Sequence, residues 1–205
     1  MARLDPPGMG LSAPRSQGCF LYLEGPGDRA ILEAWASRLL PPPVRRLFDS
    51  SVLLGGRRPA RALDHFRSRG GRRALCILDR DDGSAIGGAA GDEPGLEFFT
   101  WGRRHIESYL LVASAIGRAL RLPAEDGRVE RALRPMLPES GDEAGWRELD
   151  AKRLLAAGGP LARALGAPLR PAAIARSMRS GELHADVLVC IERVRAVAEG
   201  VGTAA

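Results

Sequence analysis

The chain has 205 residues, 45% of them hydrophobic and 27% charged, which suits one compact α/β domain with a small helical appendage and crowds two full domains. No window approaches the roughly eighteen uninterrupted apolar residues of a membrane span, and the opening MARLDPPGMGLSAPRSQG lacks the apolar core of a signal peptide, so the chain reads as cytoplasmic with no membrane partner. A formal charge of +5 and a pI near 9.8 suit a polyanionic partner, but the basic residues are overwhelmingly arginine beside abundant Ala, Gly and Pro, a bias that GC-rich coding also produces.

Residues 1–17 are rich in Pro, Gly and Ser without periodicity and read as a loose tail. The fold is expected to begin at Cys19. CFLYLEGPG reads as a short apolar strand with a tight turn, and DRAILEAWASRLL places Ile31, Trp35 and Leu39 on one helical stripe beside Leu32. The prolines at 41–43 end that helix. SVLLGG then reads as a second strand, RPARALDHFRSRGG as a helix with Leu63 and Phe66 inward, and RALCILD as a third strand. Strands alternating with helices in this way imply parallel βαβ units with right-handed crossovers.

SAIGGAAGDEPG (84–95) is a loop by composition, and LEFFTW reads as a fourth strand. From Arg103 the chain turns helical, with Ile106, Leu110, Ala113 and Leu120 predicted along one stripe of HIESYLLVASAIGRAL. Shorter helices are expected around 128–137, 147–157, 171–178 and 185–198. Cys19, Cys76 and Cys190 are odd in number, far apart and set among apolar neighbours, so they read as reduced packing residues.

In an open parallel sheet, ligands bind outside the carboxyl ends of the strands. Glu24 ends the first strand and Asp79 the third; Asp28 follows Glu24 across Gly-Pro-Gly, and Asp81 follows Asp79. Four carboxylates on one rim repel one another, at roughly 4 kcal/mol for a pair 4 Å apart in an effective dielectric of 20. They must protonate, splay apart or bind a cation. Oxygen donors without His or Cys select a hard ion, Mg²⁺ or Mn²⁺. Each acid also has a plainer reading. Asp28 suits a helix N-cap, and Asp81 and Asp82 before Gly83 suit a turn. Glu24 is harder to explain so, because an acid directly after an apolar strand is desolvated without an evident partner.

These residues resemble a known family. LYLEGPGDRAILEAW is similar to the first motif of TOPRIM domains, an acid ending strand one with a second acid four residues on, and CILDRDDG resembles their DxD motif ending strand three. WGRRHIESYLL resembles a segment of the OLD-like nucleases and of standalone TOPRIM proteins of bacterial antiphage defence. The resemblance covers residues 19–112 and thins beyond. It implies an α/β, Rossmann-like TOPRIM core of about four mostly parallel strands flanked by helices, occupying 18–122, with a helical extension over 123–205.

Carried over, the resemblance makes Glu24 the acid nearest the scissile phosphate and Asp79 and Asp81 metal ligands, with Asp28 supporting the metal site and Glu107 completing or flanking a second one. Glu107 has a rival reading as a polar residue on a helix that buries Ile106 and Leu110. Asp28 stands where some relatives carry Glu, a change in reach that bears on its metal contact. Lys152 in WRELDAKRLLAA is the sole lysine among arginines; its compact ammonium fits close to a phosphate oxygen, and OLD-like nucleases are similar in placing a lysine after the carboxylate motifs, although chance survival of one lysine explains it equally.

The function expected is a Mg²⁺- or Mn²⁺-dependent endonuclease acting on DNA, with one or two ions. Glu24, Asp79, Asp81 and Lys152 would be catalytic. Residues 57–73 hold seven arginines against one aspartate, and Arg57, Arg58, Arg61, Arg103 and Arg104 are expected to grip the nucleic-acid backbone unless they merely form a solvated face. The rival functions are a structured-RNA nuclease similar to the 5S ribosomal RNA maturase and a silent effector subunit. The partners implied are DNA, a separate ATPase of the OLD or ABC type, since this chain has no G-x-x-x-x-G-K-[ST], and a second copy in a homodimer. A topoisomerase is disfavoured for want of a tyrosine in the right setting, and a receiver-like domain leaves Asp28 and the helical region without a role.

Overall fold

A computed structural model, which describes residues 18–80 and 93–200, has four strands in one sheet with every neighbouring pair parallel. They are β1 (Cys19–Leu23), β2 (Val52–Leu53), β3 (Arg73–Leu78) and β4 (Leu96–Thr100), in the order β2-β1-β3-β4. Each lies within a stretch the sequence marks as a strand, although β2 keeps two residues of SVLLGG. The expected tail 1–17 and the loop as far as residue 92 lie outside the described residues.

The two-residue pleat sends Leu21, Leu23, Leu75 and Ile77 to one face, and Tyr22, Ala74, Cys76 and Leu78 to the other. Both sets are buried, which is why β1 and β3 read as unbroken apolar runs. α1 (Pro26–Leu39) and α2 (Pro42–Asp49) join β1 to β2 and pack on the first face through Ile31, Leu32, Trp35, Leu47 and Phe48. α3 (Pro59–Ser68) joins β2 to β3 and covers the second face through Ala62, Leu63 and Phe66. One crossover thus runs outward on one face and the next returns over β1 on the other, as right-handed connections require when the direction of travel reverses. That reversal makes the gap between the carboxyl ends of β1 and β3 the topological switch point.

The prolines at 41–43 end α1 as expected, and they also begin α2, where a proline in the first turn loses no hydrogen bond. The single helix expected along Ile106, Leu110, Ala113 and Leu120 is corrected. Ile106–Leu110 is a 3₁₀ turn, α4 covers Ala113–Ala119, and Val112 between them is extended. All five residues of the turn are buried, so no solvent face remains for a helical stripe.

Beyond it follow α5 (Arg128–Leu133), α6 (Glu143–Glu148), α7 (Ala151–Leu155), α8 (Pro160–Leu165), α9 (Pro171–Ser177) and α10 (Ala185–Glu199). The helix expected at 147–157 is broken between α6 and α7, where the Asp150 carboxylate accepts the Arg153 N–H at 2.9 Å and starts a new helix. Ile174, Val187, Ile191 and Val194 of α9 and α10 share one core with the first face of the sheet. Trp35 anchors that junction, donating its indole N–H to Met178 Sδ at 3.4 Å and meeting Trp101 edge-on. Among the described residues no helix is long and apolar enough to cross a membrane.

Candidate active site

Glu24 directly follows β1 and is 8% exposed. Its carbonyl accepts the amides of Gly55 and Gly56 at 2.9 and 3.0 Å, and both glycines have positive φ, a conformation glycine adopts without a Cβ penalty. The Gly-Gly after β2 therefore clamps the backbone that carries the acid. Glu24 Oε1 accepts the Asp79 N–H at 2.7 Å, so the two strand ends are joined through one carboxylate.

Asp79 is the centre of the network. Its side chain is 2% exposed; Oδ1 accepts the Ile106 N–H at 2.9 Å, and Oδ2 accepts from Lys152 Nζ at 2.6 Å. Its carbonyl accepts from Arg57 Nε at 3.1 Å. One residue thus ties β3 to the β2–α3 loop, the 3₁₀ turn and α7.

Asp28 is the third residue of α1, with Gly25 as N-cap, and its Oδ2 accepts the Gly25 N–H at 2.7 Å. The N-cap reading is corrected by three positions in favour of the reach-back contact of a capping box. Burial raises the pKa of this carboxyl, Asp79 adds to the rise, and Lys152 and the Gly25 amide oppose it. Glu107 sits in the 3₁₀ turn, 8% exposed. Burial pushes its carboxyl up to about 7, with Lys152 pulling down and the charges of Asp79 and Asp28 pushing up. Its Oε2 is buried without a hydrogen-bond partner among the described residues. Burial pulls the Lys152 ammonium down, but the bond to Asp79 and the charges of Asp79, Glu107 and Asp28 outweigh it, and its pKa rises.

Glu24, Asp28, Asp79, Glu107 and Lys152 therefore meet at the switch point or interact electrostatically across it. Asp81 lies outside the described residues. Among the described residues no three His, Cys, Asp or Glu side chains converge closely enough to hold an ion. The donor chemistry nevertheless fits a hard cation: three carboxylates, Asp79, Glu107 and Asp28, act on one ammonium, Glu24 is bonded to the Asp79 amide, and the buried Glu107 Oε2 is a polar atom of the kind such an ion satisfies.

Two participants escape the sequence reading. His105 is 6% exposed, feels Asp79 and Lys152, and has Nδ1 3.8 Å from Asp150 Oδ1; burial lowers its pKa first, with Asp79 opposing. Its place immediately before Ile106 and Glu107 was the available signal. The Ile106 amide has none, because any residue supplies an N–H. Cys76 on β3 is buried and feels the Glu24 charge, and its thiol is pushed up to about 12 by burial first and by that acid, which makes it unreactive.

The arginines expected to grip nucleic acid divide. Arg58 and Arg61 are exposed at the start of α3, although one Arg61 nitrogen donates to the Leu54 carbonyl at 2.8 Å. Arg57 is half-buried behind Asp79. Arg103 turns inward, its guanidinium 4.1 Å from the Trp146 ring centre and 5.3 Å from that of Tyr109, with a hydrogen bond to the Ser108 carbonyl at 3.2 Å. Arg104 reaches the Glu148 carbonyl at 3.5 Å. The acids line none of the cavity of about 320 Å³ between α4 and α5, whose Arg118 and Arg128 are paired with Glu182 and Asp126.

Because Glu107 is held above its ordinary value, the folded chain keeps that proton between about pH 4.5 and 7 while the unfolded chain releases it. Stability from this group is complete below about pH 4.5, falls as pH rises to about 7, and is flat above. Without divalent ions, Glu107→Gln is expected to match wild type at pH 4 and to exceed it at pH 8, by on the order of 3 kcal/mol at most. Urea unfolding of both proteins in EDTA at the two pH values checks this; an equal difference at both would remove the titration from Glu107.

No family model, curated protein or solved structure matches the chain.

Proposed function

We propose that the chain is a Mg²⁺- or Mn²⁺-dependent, TOPRIM-like nuclease that hydrolyses phosphodiester bonds in DNA. The observation that carries this reading is the Glu24 carboxylate bonded to the Asp79 amide at the switch point of a parallel sheet, with Asp28, Glu107 and Lys152 gathered there from three other segments. Such a concentration of buried acids serves no packing purpose, and a divalent ion would offset its charge beyond what the Lys152 ammonium supplies.

Glu24, Asp79, Asp28 and Glu107 would hold the ion, joined by Asp81. When bound, a divalent ion lowers the pKa of coordinated water and offsets charge on the phosphate oxygens. The protein's own part is orientation and charge. The Ile106 amide fixes the Asp79 carboxylate, and Glu24 is fixed by the Asp79 amide. Burial pushes the Glu107 carboxyl up to about 7 while no ion is bound, and binding a cation through that carboxylate would release its proton. Lys152 supplies a mobile positive charge for a phosphate oxygen. Arg58 and Arg61 offer sequence-independent contacts to a flanking backbone, so binding should weaken steeply with salt.

A plasmid-nicking assay tests the reading. Wild type is expected to cleave with Mg²⁺ or Mn²⁺ and not with EDTA, and Glu24→Ala is expected to be inactive with either metal. Cleavage in EDTA, or equal cleavage by the variant, would overturn the proposal. Competition between duplex DNA and structured RNA in the same assay assigns the substrate.

A further inference from the structure

We propose that Lys152 is a displaceable counter-ion, which occupies Asp79 until a divalent ion and a phosphodiester arrive together; this rests on the metal-dependent reading above. The contacts of Asp79 differ in whether they can leave. The Ile106 donor is a backbone amide and cannot move without the turn, and the Arg57 contact goes to the Asp79 carbonyl. Lys152 is the contact on a flexible stem. Its side chain is 45% exposed, against 2% for Asp79, so the ammonium has a path to solvent while the carboxylate does not.

Position makes this matter. The ammonium lies 2.6 Å from Oδ2, and a hard divalent ion binds a carboxylate oxygen at about 2.1 Å. Two cations on one buried carboxylate repel strongly, because little water lies between them to screen the charge. The same ammonium also offsets the negative charge of Glu107 and Asp28, so its departure makes the whole cluster more attractive to an ion. At rest Lys152 keeps the acids folded and compatible.

Once displaced, the ammonium needs a new anion, and a phosphate oxygen held at the metal offers one. The divalent ion alone therefore binds weakly, because it must evict Lys152 into water. With nucleic acid present the eviction is compensated, and each ligand strengthens the other by the same factor. An arginine would serve poorly here, since its planar fork bonds a carboxylate through two nitrogens and releases it reluctantly. The one lysine in an arginine-rich chain thus stands where a releasable charge is required.

The test is calorimetric titration of Mn²⁺ into the full chain without nucleic acid. Lys152→Met is expected to bind Mn²⁺ about tenfold more tightly than wild type, a coupling of ordinary size, while cleaving DNA more slowly. Lys152→Arg should keep the weak affinity, and Arg153→Met, which removes a neighbouring exposed charge from the same helix, should leave it unchanged. Equal or weaker binding by Lys152→Met, or an equal gain from Arg153→Met, would overturn the displacement while leaving metal dependence intact. Failure of wild type and every Lys152 variant to bind Mn²⁺ would overturn the metal reading itself. Should circular dichroism show Lys152→Met unfolded, Lys152→Gln is read by the same criteria.

Discussion

Asp79→Ala is expected to lower DNA cleavage by on the order of 10³-fold, equivalent to about 4 kcal/mol of barrier, and to destabilise the fold as well. The size follows from how many elements meet on this side chain. Its loss leaves the buried Ile106 N–H without an acceptor and the Lys152 ammonium without its carboxylate, while Glu24 loses the neighbour with which it would share an ion. An unsatisfied buried amide costs about 1–3 kcal/mol, so a lower melting temperature should accompany the lost activity. Asp79→Asn separates the two effects. Its carboxamide oxygen still accepts from Ile106 while its NH₂ group faces the Lys152 ammonium, so stability should recover in part while activity stays low for want of the negative charge. Nicking rates and melting temperatures of the two variants side by side decide the matter; an Asp79→Asn protein that cleaves like wild type would make Asp79 a structural residue.

Trp35→Ala should produce the largest loss of stability, about 3–5 kcal/mol by urea unfolding. Trp35 is fully buried on α1, where its indole N–H meets Met178 and its ring meets Trp101. The substitution opens a cavity between the sheet and the C-terminal helices, and Met178, just past α9, cannot collapse into it without pulling on the Arg38 contact to its carbonyl. Loss of stability is expected without loss of the single cooperative transition, because the helices of α9 and α10 and the first face of the sheet bury one continuous core. A cost below about 1 kcal/mol, or two separate transitions, would mean that the helical region folds on its own.

Much of the acidic rim was legible because strand ends and switch points follow from the order of elements. LYLEG and LCILD each announce a strand buried on both faces and the acid at which it stops. Once the sheet is parallel and β1 lies beside β3, Glu24 and Asp79 have to be neighbours. SVLLGG was legible only as a strand, and the grip of its glycines on the Glu24 carbonyl was not, since no local pattern names the acceptor. The 3₁₀ turn at Ile106–Leu110 was misread as helix because a segment buried on every side still contains apolar residues at helical spacing.

The sequence by itself determined the alternation of strands and helices, the parallel sheet and the rim on which Glu24 and Asp79 would stand. These are consequences of local period and punctuation, which act over a few residues. Only the tertiary structure decided that Lys152, seventy-three residues from Asp79, faces it at hydrogen-bonding distance, that Arg103 stacks inward on Trp146, and that Glu107 is buried deeply enough to hold its proton near neutral pH. Those outcomes depend on which helix packs where, and therefore on desolvation and charge fields summed over distant parts of the chain, which no short stretch of residues encodes.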